Sequence, residues 1–343
     1  MLYPSPLSSG SKIAVTAFSS GVAAPCHPRL NIVLQDLKNR GFEVLEGQCL
    51  REDNLHVSAP LEARVAELMA FLCDDSIDAI MAPWGGEIAM DILPKLDWQR
   101  LETAKPKWLM GFSDISTVLT SISCKLGWAT CHCTNLMQLG LNQTDELTAR
   151  VFEHLATPTG GEFKQTAAQF FERRHADYSK EPTAAFNLSE PSQWKILNNA
   201  YHDEVEFTGR LIGGCIDTHM VLYGSEYFLP HKKLINREDP VIYYFENGEL
   251  TPTQYFRAFQ SLKLKGAFDN ASGILIGRNA AQVARGDGYD DLIALQQSLG
   301  ELEIPVLYDV DVSHQSPNLT MVNGALANVK LKNGLGEISQ KLI

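Results

Sequence analysis

Lys107-Trp-Leu-Met-Gly-Phe-Ser-Asp-Ile-Ser116 passes from strand to helix within ten residues. Trp108-Leu-Met-Gly111 is a short apolar run, the pattern of a buried strand. Phe112-Ser-Asp114 is the turn, and a helix follows over Ile115 to Lys125. A serine on such a turn stands at the carboxyl end of a sheet, where open α/β folds hold their ligands. It also stands at a helix N-terminus, whose free N–H groups can hold the negative oxygen of a tetrahedral intermediate. The logic is that of a nucleophile elbow, although the GxSxG pattern itself is absent. The same position suits plain helix capping, for which serine is a preferred residue.

Working outward, the units on the N-terminal side repeat this alternation. Lys12-Ile-Ala-Val-Thr-Ala-Phe18 is a strand that runs into Ser19-Ser20-Gly21. Residues 28–40 carry Leu30, Val33, Leu34 and Leu37 at helical spacing, with Pro28 at the start and Gly41 past the end. Phe42 to Leu45 is the next strand. Leu61 to Cys73 is a helix with Val65, Leu68, Met69 and Leu72 on its apolar face, and Ile77 to Ala82 is a strand that ends in Pro83-Trp-Gly-Gly86. Strands alternating with helices of this length predict βαβ units and a parallel sheet. The Gly85-Gly86 pair lets backbone approach a ligand closely and offers another N–H to an oxyanion; it suits an ordinary tight turn as well.

On the C-terminal side, residues 157–195 are polar and rich in turn formers, the composition of a connector with some structure of its own. A second domain starts near Glu206. Its markers are Gly209-Arg-Leu-Ile-Gly-Gly214, a strand over Val241 to Phe245, a helix over Thr253 to Leu264, a strand over Gly273 to Gly277 and another at Val306 to Asp309. The expected division is 1–160, a connector over 161–205, and 206–343.

The bulk properties set bounds. The 343 residues are 45 % hydrophobic and 20 % charged, an ordinary globular balance. A net charge of −12 and a pI of about 5.2 argue against a nucleic-acid partner, but not against a small anionic substrate. The N-terminus has no signal-peptide pattern, and no run of 18 apolar residues suggests a membrane span. Seven cysteines at irregular spacing read as reduced thiols of a cytoplasmic protein. Cys131-His132-Cys133 invites a metal reading, yet the two further ligands of a structural zinc site are missing from the sequence. The three are therefore read as buried residues at a strand end, and neither metal nor cofactor is expected. Asn142-Gln-Thr, Asn187-Leu-Ser and Asn318-Leu-Thr match the glycosylation pattern, which carries no meaning without a secretory signal.

Several segments, in order, resemble peptidase family S66, the LD-carboxypeptidases and microcin C7 self-immunity proteins. They are Ala17-Phe-Ser-Ser-Gly-Val22, Trp84-Gly-Gly86 with Ile92-Leu-Pro-Lys-Leu-Asp97, Lys107 to Ser116, Gly209 to Gly214, Phe245-Glu-Asn-Gly-Glu249, and Pro305-Val-Leu-Tyr with Ser313-His-Gln-Ser-Pro317. The resemblance runs from Lys12 to about Ala327. It implies a flavodoxin-like or class I glutamine amidotransferase-like parallel-sheet domain and a smaller C-terminal α/β domain. It implies Ser113 as nucleophile, His314 as general base and Glu246 as its partner, with the Gly86 and Asp114 N–H groups as oxyanion hole. Taken alone, Glu246 also suits a strand-end charge and His314 a solvated loop histidine. Glu249 is expected at the surface or behind the site, and His132 near the pocket.

The sequence departs from the family pattern in places, and the changes that flank the oxyanion loop, Pro83-Trp84 and Glu87, bear on substrate rather than on reaction class. Phe112 replaces Tyr, Cys215 stands where Asn is common, Ser313 replaces Gly, and Pro83-Trp84 and Glu87 change the glycine-rich loop. The resemblance implies a serine carboxypeptidase that cuts an amide beside a free carboxylate, as in murein peptides, and acts as a homodimer. The alternative substrate is an aminoacyl-nucleotide conjugate, for which Trp194 is a candidate stacking residue, although packing suits it better. The competing class is a two-domain binding protein without catalysis.

Overall fold

A computed structural model of the chain describes residues 1–140, 145–198, 204–230, 239–281 and 288–343. The Asn142-Gln-Thr motif lies outside the described residues.

Five strands form the N-terminal sheet: β1 (Lys12–Val15), β2 (Glu43–Glu46), β3 (Ala79–Met81), β4 (Trp108–Gly111) and β5 (Cys131–His132). They are parallel in the order β2-β1-β3-β4-β5, which is the flavodoxin-like order. Met321–Val322 completes this sheet, antiparallel to β5, so the C-terminal part of the chain reaches back into it. The residues of β3 and β4 are all buried, as strands covered by helices on both faces must be. The helices His27–Asn39 and Leu61–Cys73 supply part of that cover.

The second sheet has eight strands. Its four middle strands, Glu204–Cys215, Val241–Glu246, Ala271–Gly277 and Val306–Val310, are parallel. Leu326–Lys332 and Leu335–Lys341 form a hairpin on one side of them. Its turn is Asn333-Gly334, both at positive φ, the pairing that a tight hairpin turn favours. The turn-rich stretch also enters this sheet. Glu162–Thr166 pairs with the last strand, and Lys195–Ile196 pairs with Val306–Val310.

The helix Ile115–Leu126 lies between the two sheets, with eleven residues buried. Ile115, Val118, Leu119 and Ile122 belong to one apolar cluster with Ile212, Ile216, Tyr243 and Phe245 of the C-terminal part. In a helix buried on nearly every side the small polar residues must find partners. They do: Thr120 Oγ1 donates to the Gly213 carbonyl at 3.2 Å, and Ser116 Oγ accepts the Cys215 N–H at 3.2 Å. The helix that begins just after Ser113 thus locks one sheet to the other.

Candidate active site

The carboxyl ends of the parallel strands in the two sheets meet over Ser113. Its φ of +65° is a conformation that residues other than glycine seldom adopt. The surroundings enforce it. Phe112 N–H donates to Asn135 Oδ1 at 3.0 Å, and Ser116 N–H donates to the Ser113 carbonyl at 2.9 Å. A Cβ on Gly111 would lie 2.7 Å from Asn135 Oδ1, so this approach requires glycine. Gly85 is equally tight, since a Cβ there would stand 2.6 Å from Ser113 Cβ and 2.7 Å from its Oγ. Of the Gly85-Gly86 pair, Gly85 is the one whose missing side chain leaves room for Ser113.

Glu246 is the last residue of Val241–Glu246, and His314 lies on the loop after Val306–Val310. His314 Nε2 is 2.8 Å from Ser113 Oγ, and His314 Nδ1 is 2.5 Å from Glu246 Oε2. With the proton on Nδ1, the ring donates to Glu246 and accepts from the serine. Glu246 is fully buried at the end of an apolar strand, and its Oε1 has no hydrogen-bond partner among the described residues. The His314 ring is 27 % exposed, open toward the cavity. Burial alone lowers its pKa, but the charge and hydrogen bond of Glu246 outweigh that, with help from Asp217 and Glu249, so His314 titrates above an ordinary histidine.

Neighbouring groups hold each member of this chain in place. Asp217 accepts the Gly248 and Glu249 N–H groups at 3.0 and 2.9 Å, which fixes the loop after Glu246. Cys215, raised by burial, donates its thiol to the same carboxylate at 3.2 Å. A Cβ on Gly248 would come within 2.9 Å of His314 Cε1, so the bare backbone lies against the ring. The His314 loop is anchored by Arg278, which donates to the Gln315 and Pro317 carbonyls at 2.7 and 3.0 Å and pairs with buried Asp311. Ser313 Oγ donates to the Arg278 carbonyl at 2.7 Å. Sequence reasoning missed Asp217, Arg278 and Asp311. An acidic residue opening a short helix after Gly213-Gly214 was the one local signal.

The Gly86 and Asp114 backbone N–H groups have no protein acceptor among the described residues. Gly86 has φ +153°, and a Cβ there would lie 2.2 Å from Ser19 Oγ. The Asp114 side chain points away from the serine: its carboxylate accepts Ser19 Oγ at 2.5 Å and Ala89 N–H at 2.8 Å. Burial raises its pKa against those hydrogen bonds.

The remaining expected residues fall as follows. His132 is fully buried on β5 beneath the turn, with Nδ1 3.2 Å from Ser116 Oγ, and does not line the cavity. Glu249 is exposed beside the site. Trp194 is buried away from the cavity, packed on Gly336, and donates to Asp311 at 2.7 Å, so it is a packing residue. Cys131 and Cys133 are buried in the core. Among the described residues no group of three His, Cys, Asp or Glu side chains could hold a metal, and no helix is long and apolar enough to cross a membrane.

A cavity of about 470 Å³ opens at Ser113 and His314. Trp84, Phe112 and Met137 give it apolar walls, and His175, Asp177 and Tyr178 reach into it from the stretch between the sheets. That stretch, expected as a connector, therefore contributes directly to the pocket.

Comparison with known proteins places the chain among relatives of known family. The family model for the LD-carboxypeptidase N-terminal domain of peptidase S66 matches residues 13–133, and that for the LD-carboxypeptidase C-terminal domain matches residues 208–329. The chain is 25 % identical over 338 residues to a Vibrio cholerae protein whose name calls it a carboxypeptidase, covering 97 % of this chain and 96 % of that one. It is 24 % identical over 336 residues to the Escherichia coli microcin C7 self-immunity protein, covering 97 % and 94 %. A structure of that immunity protein with glutamyl sulfamoyl guanosine matches over 100 % of both chains with a TM-score of 0.83 at 22 % identity. The muramoyltetrapeptide carboxypeptidase from Oxalobacter formigenes matches with a TM-score of 0.73 at 18 % identity, over 96 % of this chain and 99 % of that one.

Proposed function

The chain belongs to peptidase family S66, and from that premise we propose that it is a serine carboxypeptidase that cleaves an amide beside a free carboxylate. The observation that carries this reading is the unbroken contact from Ser113 through His314 to Glu246. Ser113 Oγ attacks the carbonyl carbon while its proton passes to His314 Nε2. The tetrahedral oxyanion sits against the N–H groups of Gly86 and Asp114, each such donor contributing on the order of 10²–10³ in rate. His314 then gives the proton to the leaving amine, and the carbon–nitrogen bond breaks. Water, with His314 again as base, hydrolyses the acyl-enzyme and frees Ser113. Throughout, Glu246 keeps the imidazole in the required tautomer and stabilises the imidazolium.

The favoured substrate is a murein-type peptide whose terminal D-alanine is released from the L-centre of a diamino acid. Incubation with meso-diaminopimelyl-D-alanine tetrapeptide should release D-alanine, and Ser113→Ala should lower kcat by about 10⁶-fold. Full activity in Ser113→Ala would refute the mechanism. A second reading, hydrolysis of an aminoacyl-nucleotide conjugate, draws on the aromatic cavity wall. Trp84, fixed by its Nε1–H to the Gly21 carbonyl at 2.9 Å, and Tyr178 offer flat apolar faces to a base. Turnover of aminoacyl-sulfamoyl adenosine without release of D-alanine from the tetrapeptide would select it. The reading takes the chain as two domains, 1–160 and 206–343, joined by 161–205, working as a cytoplasmic homodimer. Sedimentation analysis tests the dimer.

A further inference from the structure

A second acid–imidazole pair opens onto the same cavity. Glu172 is 2 % exposed. Its Oε1 lies 2.7 Å from His175 Nδ1, and its Oε2 accepts the Asn187 N–H at 2.7 Å. Its own N–H donates to the Ser316 carbonyl at 2.8 Å, and Gln315 Nε2 donates to the Arg173 carbonyl at 3.4 Å. The pair is therefore built onto the loop that carries His314. With Nδ1 held by Glu172, Nε2 is the ring nitrogen left for the cavity, which His175 lines together with Ser113 and His314.

The charges around the cavity make this position informative. None of the described residues lining it is Lys or Arg. Asp177 carries the opposite sign and is already engaged by Lys180 and Ser179. Arg29 lies 4.2 Å from the Tyr178 ring, but the residue is 1 % exposed and its guanidinium donates to the carbonyls of Met137, Leu139, Pro182 and Ala184. A substrate with a free carboxylate still needs a cationic donor near the reacting bond, because a desolvated carboxylate without one is costly.

We propose that His175 binds the free carboxylate of the substrate through Nε2–H, with Glu172 as the residue that positions its ring. This rests on the reading of the site as one that cuts beside a free carboxylate. A proton taken up with the anion turns Nε2 from acceptor into donor. The imidazolium then bridges Glu172 and the ligand by two charge-assisted hydrogen bonds.

The test separates binding from turnover. In Ser113→Ala protein, calorimetry compares L-lysyl-D-alanine with its C-terminal amide. The acid should bind on the order of tenfold more tightly than the amide. Adding His175→Gln should abolish that preference without changing the thermal unfolding temperature, and His175→Lys should restore part of it. Equal affinities for acid and amide, binding of neither, or a preference that survives His175→Gln would overturn the proposal. If the preference depends on His175 while the unmodified protein releases no D-alanine, the hydrolase reading fails and the carboxylate site stands.

Discussion

Glu246 ends a strand in which every residue is buried, and a carboxylate there has a use only if a cation or donor meets it. His314 is that partner, and the pair sets the pH dependence expected of the enzyme. The base works as neutral imidazole, so a raised pKa moves the acid limb of kcat/KM above the ordinary histidine value of about 6.5. Glu246→Gln removes the charge and leaves the burial. It should lower kcat by about 10⁴-fold and shift the limb to lower pH. A limb that stays in place would separate Glu246 from the titration. Gly85→Ala tests the approach to the serine: a Cβ 2.6 Å from Ser113 Cβ must displace the turn, and a shift of about 1 Å costs on the order of 10²-fold in rate. Rate measurements beside unchanged thermal unfolding check it. Ser113, Glu246 and His314 were legible only as a set, because each alone has an ordinary structural use. Asp217 was not legible, because the two N–H groups it holds lie about thirty residues onward and meet it only in the folded chain.

Among the elements, those on the N-terminal side could be read from local pattern. The helix Leu61–Cys73 and the strand Trp108–Gly111 have the bounds expected, since each is set by its own apolar spacing and flanking residues. The edge strand Glu162–Thr166 was hidden, because its partner is the last strand of the chain. The C-terminal hairpin went unread although Asn333-Gly334 between alternating runs announced it. The loop that presents His314 depends on a strut that no local pattern reveals. Asp311 takes Arg278, Trp194 Nε1–H, Ser192 Oγ and the Ala168 N–H, and Arg278 in turn holds two carbonyls beside His314. Asp311→Ala leaves the Arg278 charge buried without its partner, at a cost of about 3–5 kcal/mol. Urea unfolding should show that loss, and activity should fall in the fraction that remains folded. A stability change below about 1 kcal/mol would mean that the strut is dispensable.

At the scale of the whole molecule, three buried histidines govern how the fold responds to acid. Burial lowers His132 and His219 to about 3 and His154 to about 4. His132 contacts Ser116 and His219 contacts Thr120, so two of them flank the helix that joins the sheets. His154 stacks on Phe163 at 4.7 Å and bonds Thr320, outside the cavity at Ser113. All three are neutral in the fold, whereas the unfolded chain binds protons at about pH 6.5. Between those values the unfolded state holds more protons, so stability is full above about pH 6.5 and declines as pH falls toward 3–4. Asp114 and Asp145, raised by burial, act in the opposite sense. The effect of one histidine is therefore best read as a difference. His154→Phe removes one site and should flatten the dependence of unfolding free energy on pH between 6 and 5 by about 1.2 kcal/mol per pH unit relative to the unmodified protein. Urea titrations at both pH values measure it. Identical slopes would mean that His154 takes up its proton inside the fold, and the neutral, buried imidazole described here would be wrong.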